Sequence, residues 1–153
     1  MFPAMRREFL ASFVLGLCAL TALAAAPADI RLGIKGYDPV AYFTQQRATP
    51  GSERFEYQWD EYLWRFASAE HRELFKADPV RYAPQFANFC AVALARGEVK
   101  EANPEYWLIS DGKLYLFGKS AGRDLFRRDH EQIVERANQN RALLRRPQEP
   151  AGK

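Results

Sequence analysis

The sequence predicts a single α+β domain, in which two antiparallel β-hairpins form a small sheet and helices pack on it. Residues 54–68 alternate aromatic and polar side chains on both sides of an Asp60-Glu61 turn, a pattern typical of a hairpin. A second hairpin is indicated by Asp111-Gly112 between apolar runs, because a two-residue turn of this type needs positive φ angles. Segments with helical spacing follow each hairpin, and this order indicates an α+β fold.

Local signals define the elements in the first half of the chain. Residues 28–36 favour a short strand, and a short helical turn is expected over 37–45, where Asp38 precedes a proline and is a good N-cap. Ser68 is expected to cap the next helix, which the Asp-Pro pair at 78–79 ends.

In the second half, apolar residues at intervals of three and four predict a helix that follows Pro84 and ends at Gly97. Residues 119–140 favour one or two further helices. The inward-facing residues are Phe86, Phe89, Cys90, Ala93 and Leu94 in the first of these helices and Leu125, Phe126, Ile133 and Val134 in the last segment.

The two ends of the chain differ in composition from the middle. Arg6 and Arg7, an apolar run over 13–23 and small residues after it predict an export signal over residues 1–24, of the twin-arginine type in preference to the general secretory route. The apolar run is too short to remain as a membrane span. We therefore expect a domain over 25–140 that is soluble in a bacterial periplasm, followed by a basic flexible tail over 141–153.

The charge balance excludes some classes of partner. The formal net charge is +3, with basic and acidic residues mixed along the chain, so we predict no nucleic-acid binding. Of the two cysteines, Cys18 lies in the predicted signal and Cys90 remains, so no internal disulfide is expected after export.

Cys90 has two interpretations from the residues alone. Its place on an apolar helix face favours a packed small hydrophobe, whereas a position near a helix start favours a reactive thiolate that attacks a substrate or binds a soft metal. His71 is either a solvated side chain or a second metal ligand. His130 is expected at the surface, and Asp38 is explained by its capping role.

Four aromatic side chains are candidates for a ligand pocket, although such residues more often belong to a core. They are Tyr37, Tyr42, Tyr62 and Trp107.

Four stretches together resemble the exported single-domain YHS proteins of Gram-negative bacteria. They are GYDPVAYF (36–43), WRFASAEHRELFKADPVRYAPQF (64–86), FCAVAL (89–94) and YWLISDGKLYLF (106–117). The broader YHS group is described as metal-binding through cysteines, but this chain has Ala41, Ala67 and His71 at the corresponding places. The resemblance therefore argues against a tight site of zinc or copper held by cysteines.

The exported branch carries a cysteine that Cys90 matches. Some members of that branch carry selenocysteine, which we take to be at this position. This resemblance implies redox, nucleophilic or soft-metal chemistry at Cys90. Relatives commonly have a Gly-Gly pair where this chain has Ala87 and Asn88.

The leading hypothesis is a periplasmic YHS-like domain whose single functional thiol, Cys90, serves redox or transition-metal handling with His71 as a helper. The cofactor is left open, with copper as the candidate metal, and the partner is an unidentified small molecule, metal or redox protein. The alternative is a non-catalytic binding module that uses the aromatic pocket and has a packed Cys90. A thiol enzyme lacks an identifiable base near Cys90.

Overall fold

Five strands and six α-helices occupy residues 30–145, the part of the chain that the computed structural model describes. The predicted export signal over 1–24 and most of the predicted tail lie outside the described residues. Within residues 30–145, no helix has both the length and the apolarity needed to cross a lipid bilayer.

The elements follow the predicted order of hairpin, helices, hairpin and helices, which confirms the α+β class. Short 3-10 turns follow the first strand and the last α-helix, at Gly33–Gly36 and Arg141–Arg145. The strands and helices are β1 (Arg31–Leu32), α1 (Ala41–Thr44), β2 (Ser52–Trp59), β3 (Tyr62–Phe66), α2 (Ala69–Ala77), α3 (Pro79–Tyr82), α4 (Ala91–Ala95), β4 (Asn103–Ser110), β5 (Lys113–Phe117), α5 (Ser120–Arg128) and α6 (His130–Gln139).

The two hairpins belong to separate sheets, which corrects the prediction of one small sheet. In the first sheet the strand order is β1-β3-β2, with β1 parallel and β2 antiparallel to β3. In the second sheet β4 and β5 pair only with each other. The buried side chains form two apolar cores, and β5 contributes to both, with Leu114 and Leu116 in the first core and Tyr115 and Phe117 in the second.

The predicted turn at Asp111-Gly112 and the predicted Ser68 cap are confirmed. Asp111 and Gly112 have φ angles of 51° and 70°, as a turn with two left-handed residues requires. The Ser68 hydroxyl accepts a hydrogen bond from the backbone N–H of His71 (3.1 Å) and caps α2.

The helix that carries Cys90 is shorter than predicted. It begins at Ala91, and Cys90 is its N-cap residue. Ala87 has a left-handed φ of 50°, and the Asn88 side chain accepts a hydrogen bond from the Ile34 N–H (2.7 Å). The apolar residues over 86–89 therefore lie in a turn that is bonded to Ile34, and they are not part of the helix.

The first core lies between β3, α2 and one face of β5, and it contains the fully buried Trp64, Phe66 and Phe75. The second core lies between α4, the second hairpin and the last two helices, where Phe117 and Phe126 are fully buried. Burying such rings supplies most of the stability of a domain this small.

Candidate functional site

His71 is buried beside Asp38, so the interpretation of His71 as a solvated side chain is wrong. Its Nδ1 lies 2.6 Å from Asp38 Oδ2, and only 8% of the residue is exposed. Asp38 has no exposed surface. A buried carboxylate needs partners for its charge, and the imidazole N–H is one of them.

Asp38 also holds three backbone N–H groups. Its Oδ1 accepts hydrogen bonds from the N–H groups of Val40 (2.8 Å) and Ala41 (3.3 Å), but α1 begins at Ala41 with Val40 as its N-cap residue, two positions later than predicted. Its Oδ2 accepts a further bond from the N–H of Ala67 (2.8 Å), just after β3. One carboxylate therefore joins α1, the end of β3 and α2.

Thr44 completes the group of polar side chains around His71. Its Oγ1 lies 3.2 Å from His71 Nε2 and 3.2 Å from the carbonyl oxygen of Val40. When His71 carries a proton on Nδ1 alone, the hydroxyl donates to Nε2. When both ring nitrogens are protonated, the hydroxyl accepts from Nε2–H and donates to Val40. We call Asp38, His71 and Thr44 the polar hub.

The polar hub has the side-chain types of a catalytic relay, but its atoms bond to the protein itself. Each of the bonds above joins two groups of this chain, and they tie three elements together. Buried polar groups that are fully paired in this way make a structure rigid and specific. The geometry therefore favours a structural role for Asp38 and His71.

Cys90 lies in the second core, with a free thiol and 8% of the residue exposed. Its backbone N–H donates to the carbonyl oxygen of Lys100 (2.9 Å), and its carbonyl oxygen accepts from the N–H of Leu94 (3.0 Å). These two bonds fix the residue between α4 and the segment that leads into β4.

Cys90 also lines a surface cleft of about 690 Å³, which we call the thiol cleft. Apolar side chains such as Val92 and Leu125 form part of its wall. Its charged residues are Arg96, Lys100, Lys119 and Arg128, against Glu98 and Glu101.

The acidic residues of the thiol cleft are already paired. Lys100 contacts Glu98, and this bond lowers the pKa of the Glu98 carboxyl below its ordinary value. Glu101 lies 3.5 Å from Lys35, a residue outside the cleft wall. The remaining arginine and lysine side chains give the thiol cleft an excess of positive charge.

The two predicted metal ligands, Cys90 and His71, have different surroundings. His71 bonds to Asp38 and Thr44, whereas Cys90 packs in the second core. In the part of the chain that is described, no three His, Cys, Asp or Glu side chains form a group that could hold a metal ion.

Three of the four candidate pocket aromatics lie near one another in the first core. The rings of Tyr42 and Trp107 meet edge to face at 5.1 Å, and the Tyr42 hydroxyl donates to the carbonyl oxygen of Pro104 (3.0 Å). The Tyr37 hydroxyl donates to Glu105 (3.1 Å). Burial raises the pKa of Tyr42, and the hydrogen bond to Glu105 raises that of Tyr37.

Tyr62, the fourth, contacts other groups. Its ring lies 5.7 Å from that of Trp64 and has the Arg31 guanidinium above it at 5.0 Å. His130, expected at the surface, is half-buried and packs edge to face on Phe126 at 4.9 Å.

Comparisons of this chain with protein-family models, with curated proteins and with solved structures give no significant match.

Proposed function

We propose that this protein is a small-molecule-binding domain that uses the Cys90 thiol in redox or metal handling, and that its ligand is anionic. The observation that carries the proposal is the place of Cys90 in the wall of a cleft with four basic side chains. Glu98 and Glu101 also line this cleft, and the excess of positive charge that is left raises the local concentration of anionic ligands.

Thiol–disulfide exchange is the chemistry that the residues support best. The Cys90 thiol loses its proton to solvent, the thiolate attacks one sulfur of a small anionic disulfide, a new S–S bond forms as the old one breaks, and the other half leaves as a thiolate. Cys90 is the only cysteine of the described residues, so the product is a mixed disulfide between protein and ligand.

A resident copper ion does not fit the donor set of the thiol cleft. Copper(I) in proteins is held by several soft ligands, and Cys90 is the only cysteine, histidine or methionine in the wall of the cleft. The redox form of the proposal is therefore the stronger one.

The compartment and the family remain part of the proposal. The twin-arginine-like start supports export to a periplasm, and the four stretches that resemble exported YHS proteins support membership of that branch. A lone thiol in an oxidising compartment is available for exchange with small disulfides.

The test compares two thiol reagents that have similar shapes and opposite charges. They are the sulfonatoethyl and the trimethylammonioethyl methanethiosulfonates, each applied to the folded chain and to the chain in denaturant. The measured quantity is the rate of Cys90 modification by the anionic reagent divided by the rate for the cationic one. At low salt we expect this ratio to be roughly tenfold higher in the folded chain than in the denatured chain, and we expect this gain on folding to vanish at high salt.

Lys119→Gln should reduce this gain, because Lys119 lines the thiol cleft. Lys113→Gln is the matched control, since Lys113 is an exposed lysine on β5 outside the cleft wall. If neither reagent modifies Cys90 before the protein unfolds, Cys90 is a packing residue and the alternative of a binding module without thiol chemistry replaces this proposal.

A further inference from the structure

A second cleft, of about 530 Å³, lies away from Cys90 and is not explained by the proposed function. It is bordered by the turn between β2 and β3, by residues 83–87 and by the 3-10 turn at Arg141–Arg145. Its volume is in the range of small-molecule sites, roughly 300–1,000 Å³. We call it the aromatic cleft.

The walls of the aromatic cleft are rich in rings. Tyr62, Trp64 and Phe86 are buried beneath it, and Trp59 is half-buried beside them. Val80 lies in the same wall with 70% of its surface exposed. An exposed valine beside a half-buried tryptophan leaves apolar surface in contact with water, and a flat apolar ligand would cover it.

Three arginines border the cleft, and two of them, Arg31 and Arg141, have the guanidinium over an aromatic ring. Arg31 lies 5.0 Å from the ring centre of Tyr62, and Arg141 lies 5.0 Å from that of Phe86. Stacking on a ring holds a guanidinium in place while its edge stays free to donate hydrogen bonds. Both guanidinium groups therefore have a ring to pack on at the border of the cleft.

The two arginines differ in their other partners. Arg31 donates to the carboxylate of Glu61 (2.8 Å), which offsets its charge. Arg141 donates one N–H to the neutral side chain of Asn138 (3.1 Å). A guanidinium has five N–H donors, so Arg141 retains donors in the fork geometry that matches a carboxylate.

We infer that the aromatic cleft binds a small planar aromatic carboxylate, whose ring packs against Trp59 and Val80 and whose carboxylate binds Arg141. This inference does not depend on the thiol chemistry of Cys90. It assigns a ligand class to the aromatic cleft from the stacked arginine and the exposed apolar wall together.

The test is an NMR titration of the isotope-labelled full chain with 2-naphthoate and, separately, with the uncharged 2-naphthamide. We expect 2-naphthoate to shift the Trp59 indole signal and the amides of residues 83–87, and to bind about tenfold more tightly than the amide. Arg141→Gln should weaken 2-naphthoate binding by a similar factor and leave 2-naphthamide binding unchanged.

Arg127→Gln is the matched control, because Arg127 is an exposed arginine that pairs with Asp124 and lies outside the cleft wall. Equal binding of both compounds, an equal response of both arginine variants, or shifts centred on Cys90 and Gly118 would each overturn the inference. The Trp59→Leu variant adds a second check, since it should weaken the binding of both compounds.

Discussion

The polar hub and the thiol cleft differ in how their polar groups are paired. In the hub, Asp38 and His71 are buried, and the carboxylate bonds to three N–H groups and an imidazole. In the thiol cleft, Cys90 is one lining residue among side chains with an excess of positive charge. The richer set of polar groups is therefore bonded within the protein, whereas the residue proposed to react lies beside a cleft.

The largest expected effect comes from changing one atom of the hub. In Asp38→Asn, an NH₂ group can replace the oxygen that now faces the backbone N–H of Ala67 and the ring Nδ1 of His71. The N–H of Ala67 then loses its acceptor. We expect a loss of about 3–5 kcal/mol in the free energy of unfolding, as for other buried pairs that lose one partner. Denaturant unfolding measures it.

Cys90→Ala is the matched change in the thiol cleft. It should cost only about 1 kcal/mol, because it removes one small side chain without leaving a buried charge unpaired. If the two variants lost equal stability, the distinction between a structural hub and a ligand-accessible thiol would be wrong.

A second prediction concerns alkaline pH and the first core. Burial raises the pKa of Tyr42 above the ordinary value of 10.0, so the folded protein keeps this proton at a pH where the unfolded chain loses it. The contribution of Tyr42 to the free energy of unfolding is therefore fully present below about pH 10. It falls as the pH rises further, by up to about 1.4 kcal/mol per pH unit.

The measurement is the free energy of unfolding between pH 8.5 and 11.5. Above pH 10, the free energy of unfolding of Tyr42→Phe should fall less than that of the natural sequence. At lower pH the variant should be less stable by about 1 kcal/mol, because it lacks the hydrogen bond to Pro104. Tyr106→Phe controls for the removal of one tyrosine. Equal slopes in all three proteins would contradict the argument.

The smallest effect on stability is expected from Ala87→Gly, in the turn at residues 85–88. Its φ of 50° costs a residue with a side chain about 1–2 kcal/mol, but glycine adds freedom to the unfolded chain. Ala87→Gly should therefore be neutral or stabilising by up to about 1 kcal/mol, and Ala87→Val should destabilise by more than that. Thermal unfolding of both variants distinguishes these outcomes.

Local signals predicted the features that depend on neighbouring residues. The Asp111-Gly112 turn and the Ser68 cap are such features, because each involves residues within a span of four positions. The pairing of Asp38 with His71 was missed, since the two lie 33 positions apart and no short motif joins them. The start of α4 was misplaced for the same reason: Asn88 bonds to groups 54 and 56 positions away.

The side chain of Asn88 has a consequence for how copies of this protein meet. It accepts from the Ile34 N–H and donates to the Leu32 carbonyl oxygen (2.9 Å), at the end of β1, which is an outer strand of the first sheet. An uncovered outer strand recruits strands from other molecules and leads to aggregation. One amide group thus occupies a backbone donor and an acceptor that an added strand would otherwise use at the end of β1.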